Sequence, residues 1–329
     1  MLPKLIAILG PTASGKTALG ILIAKLVGGE VISVDSRMVY RNMNVGTAKP
    51  EGEWKTGEIE IGGRIDQMFG ARKQFFVEDV PHWGIDLVDP DQDYSVAQFK
   101  EYAEKKIAEI VKRKHVPILV GGTGLWLSAV IDNLDLSSTP SDEKLRAELE
   151  EKSMGDLFHE YKTLDPIGAE LIDRDNKRRV VRALEVTLLT GKPFSQLQTR
   201  GVSKYDVLQI GLSVDRDVLY ERINDRVDEM IAKGLVNEVR GLNEKYGCQI
   251  ESMTGIGYRQ VCEFLNRTPS PHRGEGGGGV VRLKDAIEEI KKDTRHYAKR
   301  QMTWFKRDER IEWVTDPKKA IVLAEAFLK

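Results

Sequence analysis

Near the start of the chain, Gly10-Pro11-Thr12-Ala13-Ser14-Gly15-Lys16-Thr17 fits G-x-x-x-x-G-K-[ST], the pattern of a phosphate-binding loop. Such a loop aims backbone N–H groups at an anion. Lys16 would neutralise phosphate oxygens, and the Thr17 hydroxyl would ligate a magnesium ion. The ligand class is thus a di- or triphosphate; neither the compound nor the reaction follows. Asp35-Ser36-Arg37-Met38-Val39-Tyr40 is a second segment with chemical potential. Its carboxylate serves as a general base or a water-mediated magnesium ligand, or else caps the turn that follows. Gly121-Gly122-Thr123-Gly124 offers close backbone approach and one hydroxyl. Gly46-Thr47-Ala48-Lys49-Pro50, read alone, is an ordinary loop with one lysine. Arg222 and Arg226 share one helix face. They pair with neighbours such as Glu229, or one reaches a leaving diphosphate.

These residues need a scaffold that brings them together. Leu5–Leu9 is a short apolar run, read as a buried parallel strand. The helix after Lys16 carries Leu19, Leu22, Ile23 and Leu26 as its apolar face and stops at Gly28-Gly29. Val31–Val34 is a strand that delivers Asp35 at its C-terminal end. Val96, Phe99, Ala103, Ile107, Ile110 and Val111 form a helical stripe, followed by the strand Pro117–Val120. Val207–Leu212 is a further strand, leading into a helix with Leu219, Ile223, Val227, Met230 and Ile231 on one side. This alternation predicts an α/β fold, a P-loop NTPase-like parallel sheet flanked by helices. Residues 134–202 show helical patterns only, with a start at Ser141-Asp142-Glu143 and a stripe at Val180, Val181, Leu184 and Leu188. The expected organisation is core 1–133, an inserted all-helical domain 134–202, and core again over 203–329. Residues 51–79 and 268–279 look like insertions, the second a Pro- and Gly-rich flexible loop.

Lys and Arg total 50 against 51 Asp and Glu, a net charge of −1, so any nucleic-acid surface must be local. Two segments are locally basic. One holds Arg174, Lys177, Arg178, Arg179 and Arg182. The other holds Arg295, Lys299, Arg300, Lys306, Arg307 and Arg310, interleaved with His296, Tyr297, Trp304 and Phe305. Alone, each fits a charged helix whose apolar residues belong to the core; together they favour RNA. The two cysteines, Cys248 and Cys262, show no CxxC or zinc spacing and read as incidental thiols in a reducing cytosol. No apolar run is long enough to span a membrane, and no signal peptide precedes the loop. A cytoplasmic monomer is the expectation.

In order along nearly the whole chain stand Gly-Pro-Thr-Ala-Ser-Gly-Lys-Thr (10–17), Asp-Ser-Arg-Met-Val-Tyr (35–40), Gly-Thr-Ala-Lys-Pro (46–50) and Gly-Gly-Thr-Gly-Leu-Trp (121–126). Arg-Ala-Leu-Glu-Val (182–186), Gly-Ile-Gly-Tyr-Arg-Gln (255–260) and Lys-Arg-Gln-Met-Thr-Trp-Phe (299–305) follow. The set resembles the tRNA dimethylallyltransferase (tRNA isopentenyltransferase) family, in its bacterial form without a C-terminal zinc finger. The resemblance implies transfer of a dimethylallyl group from dimethylallyl diphosphate to the exocyclic amine (N6) of the adenosine 3′-adjacent to the anticodon, releasing pyrophosphate. It implies that residues 10–17 hold the diphosphate, with Mg2+ at Thr17. Asp35 becomes the general base, Thr123 a pocket hydroxyl near the reaction centre, and Arg226 a grip on the donor's phosphates. The anticodon stem-loop contacts it implies are Asp35, Ser36, Arg37, Met38, Thr123, Arg146, Lys177, Arg178, Arg179, Val180 and Val181. They continue with Thr254, Gly255, Ile256, Gly257, Tyr258, Arg259, Lys299, Arg300, Gln301, Thr303, Trp304 and Lys306. Three features depart from the family pattern. Met38 stands where Gln is frequent, Trp126 stands for a common Tyr while keeping an aromatic wall, and residues 51–79 run long. Two other readings use the same loop: prenylation of a free adenine nucleotide, and an RNA-binding P-loop NTPase. A mononucleotide needs neither the helical insertion nor the basic C-terminal segment, and no clear Walker-B carboxylate supports the NTPase.

Overall fold

The computed structural model describes residues 2–56, 59–61, 64–66, 73–136, 140–172, 174, 177–197, 201–267 and 282–329. The expected loop 268–279 lies outside the described residues. The chain runs β1 (Lys4–Leu9), α1 (Lys16–Val27), β2 (Gly29–Val34), β3 (Glu53–Lys55), β4 (Ile59–Ile61), β5 (Arg64–Asp66), β6 (Gln74–Val77) and β7 (Val80–Trp83). Next come α2 (Val96–Lys112), β8 (Val116–Gly121) and α3 (Gly124–Ile131), then α4 (Glu143–Glu151), α5 (Met154–Leu164), α6 (Pro166–Leu171), α7 (Lys177–Thr190) and α8 (Phe194–Leu197). The chain closes with β9 (Asp206–Leu212), α9 (Arg216–Ala232), α10 (Leu235–Tyr246), a 3-10 turn (Glu251–Thr254), α11 (Tyr258–Arg267), α12 (Leu283–Phe305), β10 (Ile311–Val314) and α13 (Pro317–Leu328).

The main sheet has the order β10-β9-β1-β8-β2-β7-β6-β3. It is parallel from β10 to β7 and antiparallel at β6 and β3. The central strands are mostly apolar because both faces are covered. On one face Ile6, Ile8, Ile118, Val120 and Ile210 pack with Ile21, Ile23 and Ala24 of α1 and Ala320 and Ala324 of α13. The alternating Leu5, Leu9, Ile32 and Leu119 are buried as well. At the start of β2 the fully buried Glu30 accepts from Arg113, His115 and Trp83. Burial alone would raise its pKa; the His115 and Arg113 hydrogen bonds outweigh that and hold it below the ordinary value.

The face of α1 differs from expectation. Leu22 and Leu26 are exposed, at 41% and 53%, while Leu19, Gly20, Ile21, Ile23 and Ala24 are buried. This helix is apolar almost all round, so periodicity did not single out one side. Gly20 settles it: a Cβ there would meet Val120 Cγ2 at 2.6 Å, so this position must abut β8. The cysteines also differ. Cys248 and Cys262 form a disulfide, with Cα atoms 5.9 Å apart. They are not incidental thiols, and the inference of a reducing compartment loses its basis.

The chain divides into two compact units, one of 1–127 plus 205–329 and one of 128–204; the expected insertion ran from 134 to 202. Within the second unit, Leu149, Leu157, Tyr161, Val180, Val181 and Leu184 form a core of their own. Glu185, fully buried, binds Arg146, Arg182 and the Asp142 N–H there.

Candidate active site

Strands β1, β8 and β2 end in register: Leu9 pairs with Gly121, and Gly121 with Val34. Residues 10–17, 122–124 and 35–40 therefore emerge along one edge of the sheet, the carboxyl edge where open α/β sheets bind ligands. In the loop, Ala13 (φ 60°) and Gly15 (φ 91°) take left-handed backbone, which curls the chain into a nest of N–H groups. Helix α1 starts at Lys16 with no side-chain cap and no acidic residue in its first turn. Its N–H groups and positive end are thus directed at an anion. Ser14 Oγ is buried and has no hydrogen-bond partner, and a phosphate or metal-bound oxygen would satisfy it. A cavity of about 440 Å³ lies over the loop, lined by Gly15, Lys16, Thr17, Arg222 and Arg226 among others.

Lys16 donates to the Pro11 carbonyl. The residue is partly exposed, and its ammonium feels the charges of Arg226 and Asp35. Burial pushes the Lys16 pKa down to about 7; Arg226 pushes the same way and Asp35 opposes. Burial likewise lowers Arg226, again against Asp35. Two desolvated cations side by side are what a diphosphate neutralises. Arg226 also approaches Thr12 Oγ1 at 3.5 Å.

Asp35 Oδ1 accepts from the Arg37 and Met38 N–H groups at 2.8 and 3.3 Å. No hydrogen bond to Oδ2 is found among the described residues. The carboxylate therefore caps its turn with one oxygen, the capping use read from sequence, and leaves the other without such a contact. Thr123 Oγ1 accepts from the Ser36 N–H at 3.3 Å and is hydrogen-bonded to Tyr297. Burial drives the Tyr297 hydroxyl up to about 12, keeping it protonated. A second cavity, about 310 Å³, is lined by Asp35, Arg226, Gly46–Ala48, Thr254–Tyr258 and Tyr297 among others. Arg226 lines both cavities. A larger cavity of about 780 Å³ at the β6–β7 edge includes none of the motif residues.

The wall of the second cavity is built by two carboxylate- and guanidinium-centred clusters. Glu238 accepts from the N–H groups of Asn44, Val45 and Gly46 and from the Tyr258 hydroxyl. Arg37 donates to the carbonyls of Glu251 and Ser252 and to Thr254 Oγ1. Lys49 is tied to Asp86 and the Tyr40 carbonyl. The turn 46–50, unremarkable in sequence, is thus part of the site. Nothing local in the sequence pointed to Glu238, because the three N–H groups it binds lie some 190 residues away in the chain.

Several expected RNA contacts are relocated. Val180 and Val181 are buried in the helical unit's core, so only Lys177, Arg178 and Arg179 of that stretch are exposed. Gln301 is 6% exposed and bonded to Thr12 and Gly122. Trp126 is buried and stacked on Phe99 at 4.4 Å, and it lines none of the three cavities above. Met38 accepts a contact from the Ser33 hydroxyl at 3.5 Å. Arg146 is held by Glu185 and Arg259 by Asp293. Thr254, Gly255, Ile256, Gly257, Tyr258 and Arg300 line the second cavity, with Ser36 and Arg37. Lys299 and Thr303 are exposed on α12, Lys306 is exposed at its C-terminal cap, and Trp304 is half-buried against Gly124.

A parallel α/β core with a phosphate loop at its carboxyl edge, and an acceptor-sized cavity sharing Arg226 with it, defines a P-loop-type group-transfer protein. The family model described as IPP transferase matches residues 66–308, and that described as isopentenyl transferase matches 3–58. The chain belongs to the IPP transferase family. It is 41% identical to a tRNA dimethylallyltransferase of Carboxydothermus hydrogenoformans, over 98% of this chain and 94% of that one. The solved tRNA isopentenylpyrophosphate transferase of Bacillus halodurans superposes with a TM-score of 0.66 at 37% identity, covering 99% of this chain and 95% of that one. A eukaryotic dimethylallyltransferase acting on tRNA gives 0.71 at 27% identity, covering 99% and 79%.

Proposed function

We propose that this protein prenylates tRNA, moving a dimethylallyl group from dimethylallyl diphosphate to N6 of the adenosine 3′-adjacent to the anticodon. The observation that carries the reading is the placement of Arg226 and Lys16 beside Asp35 where the two cavities share a wall. The diphosphate belongs with the cations of the loop. The target adenine belongs in the second cavity, out of its stack. Asp35 Oδ2 takes a proton from the amine as nitrogen bonds to the allylic carbon. The carbon–oxygen bond breaks, and pyrophosphate leaves with the electron pair. An aromatic amine is a weak nucleophile, so a placed base and a stabilised leaving group are both required. Thr123, with Tyr297 behind it, supplies a hydroxyl at the acceptor side.

No cluster of three or more His, Cys, Asp or Glu side chains among the described residues could cage a metal. The donor set instead fits a Mg2+ carried by the diphosphate, which the Thr17 hydroxyl would hold from the protein side. Its contribution would be to neutralise charge on the leaving group. The test is incubation with labelled dimethylallyl diphosphate and Mg2+, with either whole tRNA or AMP. Label is expected in tRNA. Label in AMP and not in tRNA would overturn the reading, as would hydrolysis of ATP without any prenyl transfer.

A further inference from the structure

The inward face of α12 carries Tyr297, Gln301 and Trp304, spaced i, i+4 and i+7 and therefore stacked on one side. All three press on the turn after β8. Tyr297 is hydrogen-bonded to Thr123. Gln301 Nε2 donates to the Gly122 carbonyl at 2.9 Å. The Trp304 indole covers Gly124 so closely that a Cβ there would meet its Cδ1 at 2.4 Å. Gln301 makes one contact the others do not: its Oε1 accepts the Thr12 N–H of the phosphate loop at 2.8 Å.

One buried amide thus joins the donor loop to the turn that carries Thr123. We infer that Gln301 is a positioning residue for the reaction, holding the diphosphate site and the acceptor site at a fixed separation. The inference rests on the transfer reaction proposed above. The chemistry of the side chain explains the choice. The bridge needs an acceptor at one end and a donor at the other, on a stem long enough to cross between two strands' loops. Glutamate has no donor when ionised, arginine and lysine have no acceptor, and asparagine is one methylene short. The fit is close: a Cβ on Gly122 would stand 2.2 Å from Gln301 Nε2. Because the Thr12 N–H is taken by Gln301, diphosphate contact falls to the N–H groups further along the loop. Thr12 also sits 3.5 Å from Arg226 through its hydroxyl. The amide therefore influences both the phosphate nest and the guanidinium beside it. A transfer between two bound substrates is sensitive to displacements of about 1 Å in such a frame.

The neighbours Lys299, Arg300, Thr303 and Lys306 are exposed, whereas Gln301 is buried. This separates its role from an RNA contact and makes the two experimentally distinct. The test compares wild type with Gln301→Met, which keeps length and apolar fit, and Gln301→Glu, which keeps one acceptor and loses the donor. Three quantities are measured on the full chain: steady-state KM for donor and for tRNA, the Kd of pyrophosphate with Mg2+, and the Kd of an anticodon stem-loop. Both variants are expected to raise donor KM and pyrophosphate Kd about tenfold and to lower kcat by a similar factor. The stem-loop Kd should stay within about twofold of wild type. An unchanged donor KM and pyrophosphate Kd would overturn the inference. So would a tenfold loss of stem-loop binding with donor parameters intact, which would make Gln301 an RNA contact. Should wild type bind pyrophosphate without prenylating tRNA, the proposed function falls, and the pyrophosphate Kd of the variants still decides whether Gln301 shapes the loop. If Gln301→Met does not fold, Gln301→Glu carries the same readouts.

Discussion

At Asp35 the two carboxylate oxygens are in different environments, and this permits a clean dissection. Oδ1 holds the Arg37 and Met38 N–H groups. Asparagine can reproduce that cap through its own carbonyl but cannot take a proton from an amine. Asp35→Asn is expected to slow the transfer step roughly 10²–10⁴-fold with the melting temperature nearly unchanged, measured by single-turnover transfer of labelled donor. Near-normal transfer would remove Asp35 as the base. Lys16 offers a pH test. Its pKa of about 7 lies below its ordinary 10.5 because of burial. Between those values the unfolded chain binds the extra proton, so this residue makes stability rise with pH across that window. Anion binding works in reverse, since a diphosphate favours the ammonium. At pH 8, pyrophosphate binding should take up protons, visible as a dependence of calorimetric heat on buffer ionisation enthalpy. Heats independent of buffer would show that Lys16 is already charged. The loop itself was legible in the sequence because its glycines and lysine are contiguous. The partner groups Tyr297, Gln301 and Glu238 were not read as such, because each acts across a long separation in the chain.

Among the elements, the strands legible in the sequence are β1, β2, β8 and β9, each six or seven residues long, rich in apolar residues and buried over most of its length. The ones not legible there are short or lie toward the sheet's ends. β6, β7 and β10 have four residues and β3 three, too few to show a period. Residues 74–77 and 80–83 pair antiparallel across a tight turn, which gives the long 51–79 region a structural role at the sheet edge. The α10–α11 region adds a second lesson. Cys248 and Cys262 bracket the cavity-lining 254–258 segment, and their spacing alone did not reveal the pairing. The disulfide closes a loop with a sequence separation of 14. Cys248→Ser together with Cys262→Ser is expected to cost about 3 kcal/mol by chain-entropy arguments, read as a shift in denaturant midpoint. Reductant should reproduce the shift in wild type and leave the double variant unmoved; equal midpoints for all three would show that the bond contributes nothing. Glu238 binds α10 to the 44–46 turn. Removing it as Glu238→Ala leaves three N–H groups and the Tyr258 hydroxyl without that partner. A loss of about 2 kcal/mol is expected, because Tyr258 is buried while the three N–H groups belong to partly or fully exposed residues, with a rise in tRNA KM larger than that in donor KM.

For the molecule as a whole, the net charge of −1 removes any general attraction to RNA. No helix among the described residues is long and apolar enough to cross a membrane. Affinity for a polyanion must then come from a few placed cations, and each unit carries a set. The helical unit presents Lys177, Arg178 and Arg179 at the start of α7, and the core unit presents Lys299 and Arg300 on α12 with Lys306 at its C-terminal cap. The apolar residues between and beside them, Val180, Val181, Ala298 and Phe305, are buried. Each basic stretch thus has a buried apolar side, as the core-helix reading expects, and exposed cations that would serve an RNA surface. Counterion release makes the distinction measurable. Each phosphate contact adds about 0.7–0.9 to the slope of log K against log salt. Lys299→Gln with Lys306→Gln should weaken tRNA binding and reduce that slope by about 1.5, while pyrophosphate binding stays unchanged. Lys177→Gln with Arg178→Gln and Arg179→Gln should reduce it by about 2. With both sets combined the reductions should add, because the sets lie in separate compact units. A set whose loss leaves the salt slope unmoved does not touch the tRNA backbone, and recognition would then rest on the other unit.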